Sequence, residues 1–264
     1  MAGLTQGQAR GRAFTIALLE RKTSISRDLF SRYWRDVHGV MAARIPGFES
    51  YVQHHVAPMA DVGSDMVEPF EGIAVVSFAR PEDRAGLIHS EVTRHIHRDE
   101  QNVFRRALLY NLESVDSQFF GPAIAPDGES VFLVVPQGVD GIAIADDLAA
   151  EGAIRVDLHD LRHADPAGWN ETDVEEGGAS RLFAFVIQSW WDGDATDAIR
   201  RIVAAAQGSI ACYRTEARYP MVEQGRPTQI GLRGLDAVRT IEEAMAVNQQ
   251  QPEVLRAIYG SIAG

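Results

Sequence analysis

Residues 14–56, FTIALLERKTSISRDLFSRYWRDVHGVMAARIPGFESYVQHHV, read as a strand, a helix and a second strand in succession. Phe14 to Leu19 is a short apolar run closed by Glu20, Arg21 and Lys22, the pattern of a buried strand. Ser24 or Ser26 caps the helix that follows. Asp28 lies in its first turn, and Phe30, Tyr33, Trp34, Val37 and Met41 recur at helical spacing until Pro46-Gly47 stops it. From Phe48 to Val56 the period becomes two, which predicts Phe48, Val52 and Val56 on one face and Tyr51, Gln53 and His55 on the other.

Working outward, residues 57–70 form a Pro-, Gly- and Asp-rich loop, and Glu71 to Phe78 is a third strand. Pro81 opens a second helix that runs through Leu87, Ile88, Val92 and Ile96 toward Asp99-Glu100, and Ala107 to Val115 is a fourth strand. After a linker at Gly121–Gly128 the order repeats. Strands are predicted at 131–135, 154–161, 181–191 and 210–219, helices at 140–151 and 196–206, and an acidic loop at 166–178. The chain is therefore expected to be α+β, with two tandem ferredoxin-like βαββαβ units over 13–122 and 129–264. The second unit carries an extra helix from Leu235 to Tyr259, broken near Pro252. One sheet face in each unit lacks a helix cover, so the two antiparallel sheets are predicted to pack together within one chain.

Composition narrows the function. The 264 residues carry 25 Lys+Arg against 37 Asp+Glu, a net charge of −12 that disfavours nucleic acid and anionic membrane surfaces as partners. Lys22 is the only lysine, which argues against Schiff-base and phosphate-loop chemistry, and Cys212 is the only cysteine, which forbids an internal disulfide. The polar start of the chain has no apolar signal core and no later run approaches a membrane span, so the expected compartment is the cytoplasm.

The string Leu29-Phe30-Ser-Arg-Tyr33-Trp34-Arg-Asp-Val-His38, with Ala43-Arg-Ile-Pro46-Gly47-Phe and Tyr51-Val-Gln53-His-His55 after it, resembles the EthD family of dimeric α/β barrels. The likeness spans about residues 13–120 and continues in register, more weakly, through the second half. It implies a ferredoxin-like unit whose four-stranded antiparallel sheet pairs with another to enclose a small-molecule pocket. In this chain the second half can supply the partner sheet. Members and relatives of that family include cofactor-free isomerases, polyketide cyclases and decarboxylases acting on aromatic or lactone substrates.

His38 falls at the edge of the helix's apolar stripe, where an imidazole poised near pH 6.5 suits a proton carrier. The plain alternative is a ring satisfied by a backbone carbonyl. His55 shares a strand face with Tyr51 and Gln53, and on the inner face of a barrel the three offer a base, a phenol donor and an amide donor. The catalytic expectation is thus His38, His55 and Tyr51. A solvated outer face is the alternative for the strand trio. Tyr33 and Trp34 are expected to wall the substrate site with Gln53, although aromatics at these spacings also build cores. Arg155, Asp157 and His159 repeat the spacing by two in the second half. Arg155 there grips a substrate carboxylate or simply pairs with Asp157.

His89, His95 and His97 do not share a helix face, so no metal site is expected. No dinucleotide fingerprint, phosphate loop or GxSxG elbow is present. These readings converge on a cofactor-independent lyase or isomerase using His acid–base chemistry on a hydrophobic aromatic, polyketide-like or lactone molecule. The alternatives are a haem-dependent oxidoreductase ligated through His159 or His163, and a small-molecule binding protein without chemistry. The C-terminal helix offers a surface for a homodimer.

Overall fold

One continuous antiparallel sheet runs through the computed structural model, which describes residues 6–7, 12–62, 69–167, 174, 183–206 and 209–260. Its main strands are β1 (Ala13–Arg21), β2 (Phe48–Pro58), β3 (Gly72–Phe78), β4 (Phe104–Leu112), β5 (Ser117–Phe120), β6 (Glu129–Pro136), β7 (Arg155–Asp160), β8 (Asp165–Ala167), β9 (Phe183–Trp191) and β10 (Ala211–Glu223). The first unit orders its strands β2-β3-β1-β4 and the second β7-β9-β6-β10. Both are the ferredoxin-like order, so the tandem repeat read from the sequence is the architecture.

The last strand of each unit meets the second strand of the other. β10 pairs with β2 along most of its length, from Tyr213 opposite Pro58 to Val222 opposite Tyr51. On the far side, Asn111 of β4 faces Asp165 of β8 and Ser117 of β5 faces His159 of β7, both in one antiparallel register. The two ladders close the sheet into a barrel, which leaves its central edges paired. Phe14, Ile16, Leu18, Phe132, Val134 and Val186 fill much of its inside.

Helices cover the outside. Over the first unit, Arg27–Tyr33 is capped by Ser26, whose hydroxyl accepts from the Leu29 amide, and it buries Phe30. The second helical segment is divided into Pro81–Ala85, a 3-10 turn at Gly86–His89 and Glu91–Val103, so β4 begins at Phe104, earlier than expected. Over the second unit, Gly141–Ala150 and Thr196–Ala205 bury Ile144, Leu148, Ile199 and Ile202 against the sheet.

Four expectations need correction. Phe48 shares a face with Tyr51, because the register slips between Phe48 and Ser50 and the extra residue resets the alternation. Tyr51, Gln53 and His55 face the helix layer and not the barrel interior, which receives Val52 and His54. Their supposed counterparts, Arg155, Asp157 and His159, point inward while Val156 and Leu158 meet the helices, so the two trios lie on opposite faces. The physical reason is the partner layer: the aliphatic helices of the second unit accept Val156 and Leu158, whereas the first helix presents Ser31 and the Trp34 carbonyl to His55 and Gln53.

The fourth concerns the C-terminal segment. It consists of Gln229–Arg233, Leu235–Glu243, a 3-10 turn at Val247–Gln250 and Pro252–Tyr259, and beyond its own strand β10 it packs on the first helix of the first unit. The Leu235 amide donates to Asp36 Oδ1 at 2.7 Å, and Arg44 donates to the Leu232 carbonyl at 3.0 Å. Most of the acidic loop expected at 166–178 lies outside the described residues.

Candidate active site

The first helix widens into a π-turn at Trp34–His38, where the Gly39 amide reaches back to the Trp34 carbonyl. That carbonyl also accepts from Gln53 Nε2 at 2.9 Å. A Cβ on Gly39 would come within 2.5 Å of the Gln53 amide, so only glycine lets helix and strand approach this closely. Trp34 lies fully buried over Gly72, whose absent side chain leaves room for the indole. The extra residue of a π-turn re-aims the side chains around it, and such turns recur at functional sites.

One of the re-aimed side chains is His38. Its Nδ1 lies 2.9 Å from Asp99 Oδ2, and its ring meets Phe104 edge-on at 5.3 Å. The other carboxylate oxygen accepts from the Tyr33 hydroxyl at 2.6 Å and from Asn102 at 3.2 Å. Burial alone would push the Asp99 carboxyl up, but the hydrogen bonds from His38 and Tyr33 outweigh it and hold the group below its ordinary value. An ionised Asp99 accepts the Nδ1–H hydrogen bond, which leaves Nε2 as the open ring nitrogen. Burial and the adjacent Asp99 push the Tyr33 phenol up to about 12, so it stays a donor.

His38 lines a cavity of about 110 Å³ between β-sheet and helices. The walls are mostly apolar, with Leu19, Ile45, Ala74, Ile96 and Phe104 among them, and Trp34 and Tyr51 also border it. Polar groups enter from Thr93, His97 and Glu100 on one helix. Thr93 Oγ1 is buried without a hydrogen-bond partner among the described residues, a cost that a bound oxygen would relieve. The Tyr51 oxygen accepts from Gln53 Nε2 at 2.8 Å and from the Trp34 side chain, and burial pushes its phenol well above the usual range.

His55 lies elsewhere. It stacks on Trp34 at 4.5 Å between centroids, meets Ser31 Oγ at 2.8 Å through Nδ1, and approaches Gln53 Oε1 at 3.4 Å. Burial drives its pKa down to about 3, with Arg35 adding to the effect, so the ring is neutral. It does not border the cavity that His38 lines.

In the barrel, Arg155 grips Asp157 with two bonds of 2.7 and 2.8 Å, and burial raises the Asp157 pKa to about 6 against the pull of that arginine. His159 is buried between Phe14 and Phe119, its Nδ1 bonded to Ser117 at 2.9 Å, and His163 is exposed on the surface. Neither ring borders the helix-side cavity or the larger cavity inside the barrel, which gives no support to either as a haem ligand among the described residues. His89 and His95 are exposed while His97 turns to the cavity. Among the described residues no three His, Cys, Asp or Glu side chains gather as metal ligands.

Sequence alone does not single out Asp99, Thr93, His97 or Glu100 as site residues. Their signal is the stripe Thr93, Ile96, His97, Glu100 and Val103, which places three polar residues on the buried face of an amphipathic helix.

A helix-covered sheet of this order, closed by a second such unit, defines a barrel of the dimeric α/β type completed within one chain. Residues 22–106, which hold the π-turn, His38, His55 and Asp99, match the family model of the EthD domain. The chain is similar to the crystal structure of an anthrone oxidase-like protein, with 16% identity over 85% of this chain and 100% of the other and a TM-score of 0.45. An EthD family protein from Bacillus halodurans C-125 matches with 16% identity over 37% of this chain and 95% of its own, at a TM-score of 0.29. Chlorite dismutase from Candidatus Nitrospira defluvii matches with 6% identity over 80% of this chain and 93% of its own, at a TM-score of 0.37. Among curated proteins the chain has no match. No helix among the described residues is long and apolar enough to cross a membrane.

Proposed function

We propose that the cavity beneath the π-turn is an active site in which His38, oriented by Asp99, moves a proton on a hydrophobic, oxygen-bearing small molecule. The observation that carries this reading is the hydrogen bond of His38 Nδ1 to Asp99, which commits one ring nitrogen and leaves the other beside an apolar cavity. The reaction class is that of a cofactor-independent lyase or isomerase. His38 Nε2 takes a proton from a carbon next to a carbonyl, and the electron pair moves to the carbonyl oxygen. The imidazolium then returns the proton to a different carbon or to a leaving group.

In this reading two groups hold the developing oxyanion. Thr93 Oγ1 has a hydroxyl without a partner among the described residues, and the Tyr51 oxygen already accepts from Gln53 and Trp34, which frees its own O–H to donate. In this reading Gln53 and His55 are supports, the first fixing the Tyr51 phenol and the second backing the Trp34 indole. The volume favours the smaller members of the expected substrate range. At about 110 Å³ the cavity is smaller than the roughly 150 Å³ apolar cavity that holds benzene, so in this reading the substrate presents no more than a single ring to it.

Solvent-exchange mass spectrometry tests the proposal whatever the final product is. The protein is incubated in D₂O with single-ring enol lactones, β-keto acids and phenols, and deuterium uptake at carbon is followed. Uptake that falls by about 10²–10⁴-fold in His38→Gln is the expected result. Equal uptake in wild type and His38→Gln overturns it, and ligand binding with no exchange or turnover favours a binding protein.

A further inference from the structure

The barrel interior holds a second cavity, of about 470 Å³, bordered at one end by the linker residues Gly121–Ala125. It is independent of the helix-side site and chemically unlike it. Phe14, Phe119 and Trp190 supply aromatic walls, while His54, Gln188, Arg155, Asp157 and Arg218 supply polar groups. Arg155 is already committed: besides its two bonds to Asp157, Nη1 donates to the Pro122 and Ala123 carbonyls, each at 2.9 Å. Asp157 is thereby neutralised, and the linker is fastened across the cavity.

Arg218 is in a different position. It faces His54 across the β2–β10 ladder and forms no ion pair or hydrogen bond with any described residue. It stands at the exposed rim of the cavity, where partial desolvation disfavours its charge, Glu223 favours it, Arg155 disfavours it and Asp127 favours it, in falling order of effect. In a chain of net charge −12, an arginine held beside a second arginine without a bound carboxylate marks a place for an anion. His54 adds a donor. Its Nδ1 accepts from Gln188 Nε2 at 3.4 Å, so the proton of the neutral ring lies on Nε2. We propose that this cavity binds an aromatic carboxylate, with the carboxylate on Arg218 and the ring among Phe14, Phe119 and Trp190.

Quenching of tryptophan fluorescence by 4-nitrobenzoate tests this in the full-length protein, with 4-nitrobenzyl alcohol as the neutral counterpart. The proposal expects saturable quenching by the carboxylate that is largely lost in Trp190→Phe. It also expects an affinity at least about tenfold weaker in Arg218→Gln, the usual worth of a charge-assisted hydrogen bond. Arg218→Lys should recover part of that loss, and the alcohol should be indifferent to both changes. Because Arg218 is at the exposed rim, its variants should keep the wild-type thermal melt. Absence of saturable quenching, equal affinity in Arg218→Gln, or quenching that survives Trp190→Phe overturns the assignment.

Discussion

His38 Nδ1 and Asp99 Oδ2, 2.9 Å apart, tie the π-turn of the first helix to the second helix beside the helix-side cavity. The same carboxylate holds Tyr33, so a single buried acid fixes both the tautomer and the position of the proposed base.

Asp99→Asn is therefore expected to lower turnover by about 10²-fold or more while leaving ligand affinity within a fewfold, because the amide keeps the shape but not the charge that sets the tautomer. Tyr33→Phe removes one of the bonds that hold Asp99 ionised and should cost less, roughly tenfold. Steady-state kinetics on whichever ring compound exchanges deuterium measures both. An Asp99→Asn enzyme as fast as wild type would show that the pair is structural.

Gly72→Ala is expected to destabilise the fold by about 1–3 kcal/mol, the usual cost of overpacking. The added Cβ would lie 2.7 Å from the Trp34 ring and would drive the indole toward the cavity. Urea unfolding reads the stability and single-ring ligand titration reads the crowding. An unchanged midpoint would mean that the indole can shift at no cost.

Stability should fall as pH drops below about 6.5, where an unfolded histidine begins to take up a proton. In the folded protein burial holds His54 and His55 near about 3 and His159 near about 4, so these rings stay neutral through the same range. The unfolded chain then binds more protons than the folded one, and stability rises with pH across that window. Each ring contributes up to about 1.4 kcal/mol per pH unit, and three together about 4. Denaturant midpoints at pH 7, 6 and 5 should decline, and His159→Gln should shallow the decline. A flat profile would contradict the burial of neutral rings.

The fold was legible because its signals are local. Ser26, the stripe from Phe30 to Met41, Pro46-Gly47 and the switch to period two mark the first βαβ without reference to anything distant, and the same grammar recurs after residue 128. Which face of a strand meets the helices is a tertiary fact. Tyr51, Gln53 and His55 satisfy the alternation equally well on either side, and only the placement of Ser31 and the Trp34 carbonyl decides it. His38 was visible as a histidine at a stripe edge. Asp99, 61 residues away, was not, because the helix carrying it reads as solvated until the buried positions of Thr93, His97 and Glu100 are known.

The ring nitrogens of His38 give the most direct test of the account. In a ¹⁵N-resolved long-range correlation spectrum, the neutral tautomer of the ring should carry its proton on Nδ1 and leave Nε2 bare. Titration with phenol should shift Nε2 while Nδ1 keeps its bond to Asp99. A resting ring protonated at Nε2, or a phenol titration that leaves both nitrogens unmoved, would contradict the assignment of His38 as the base of this cavity.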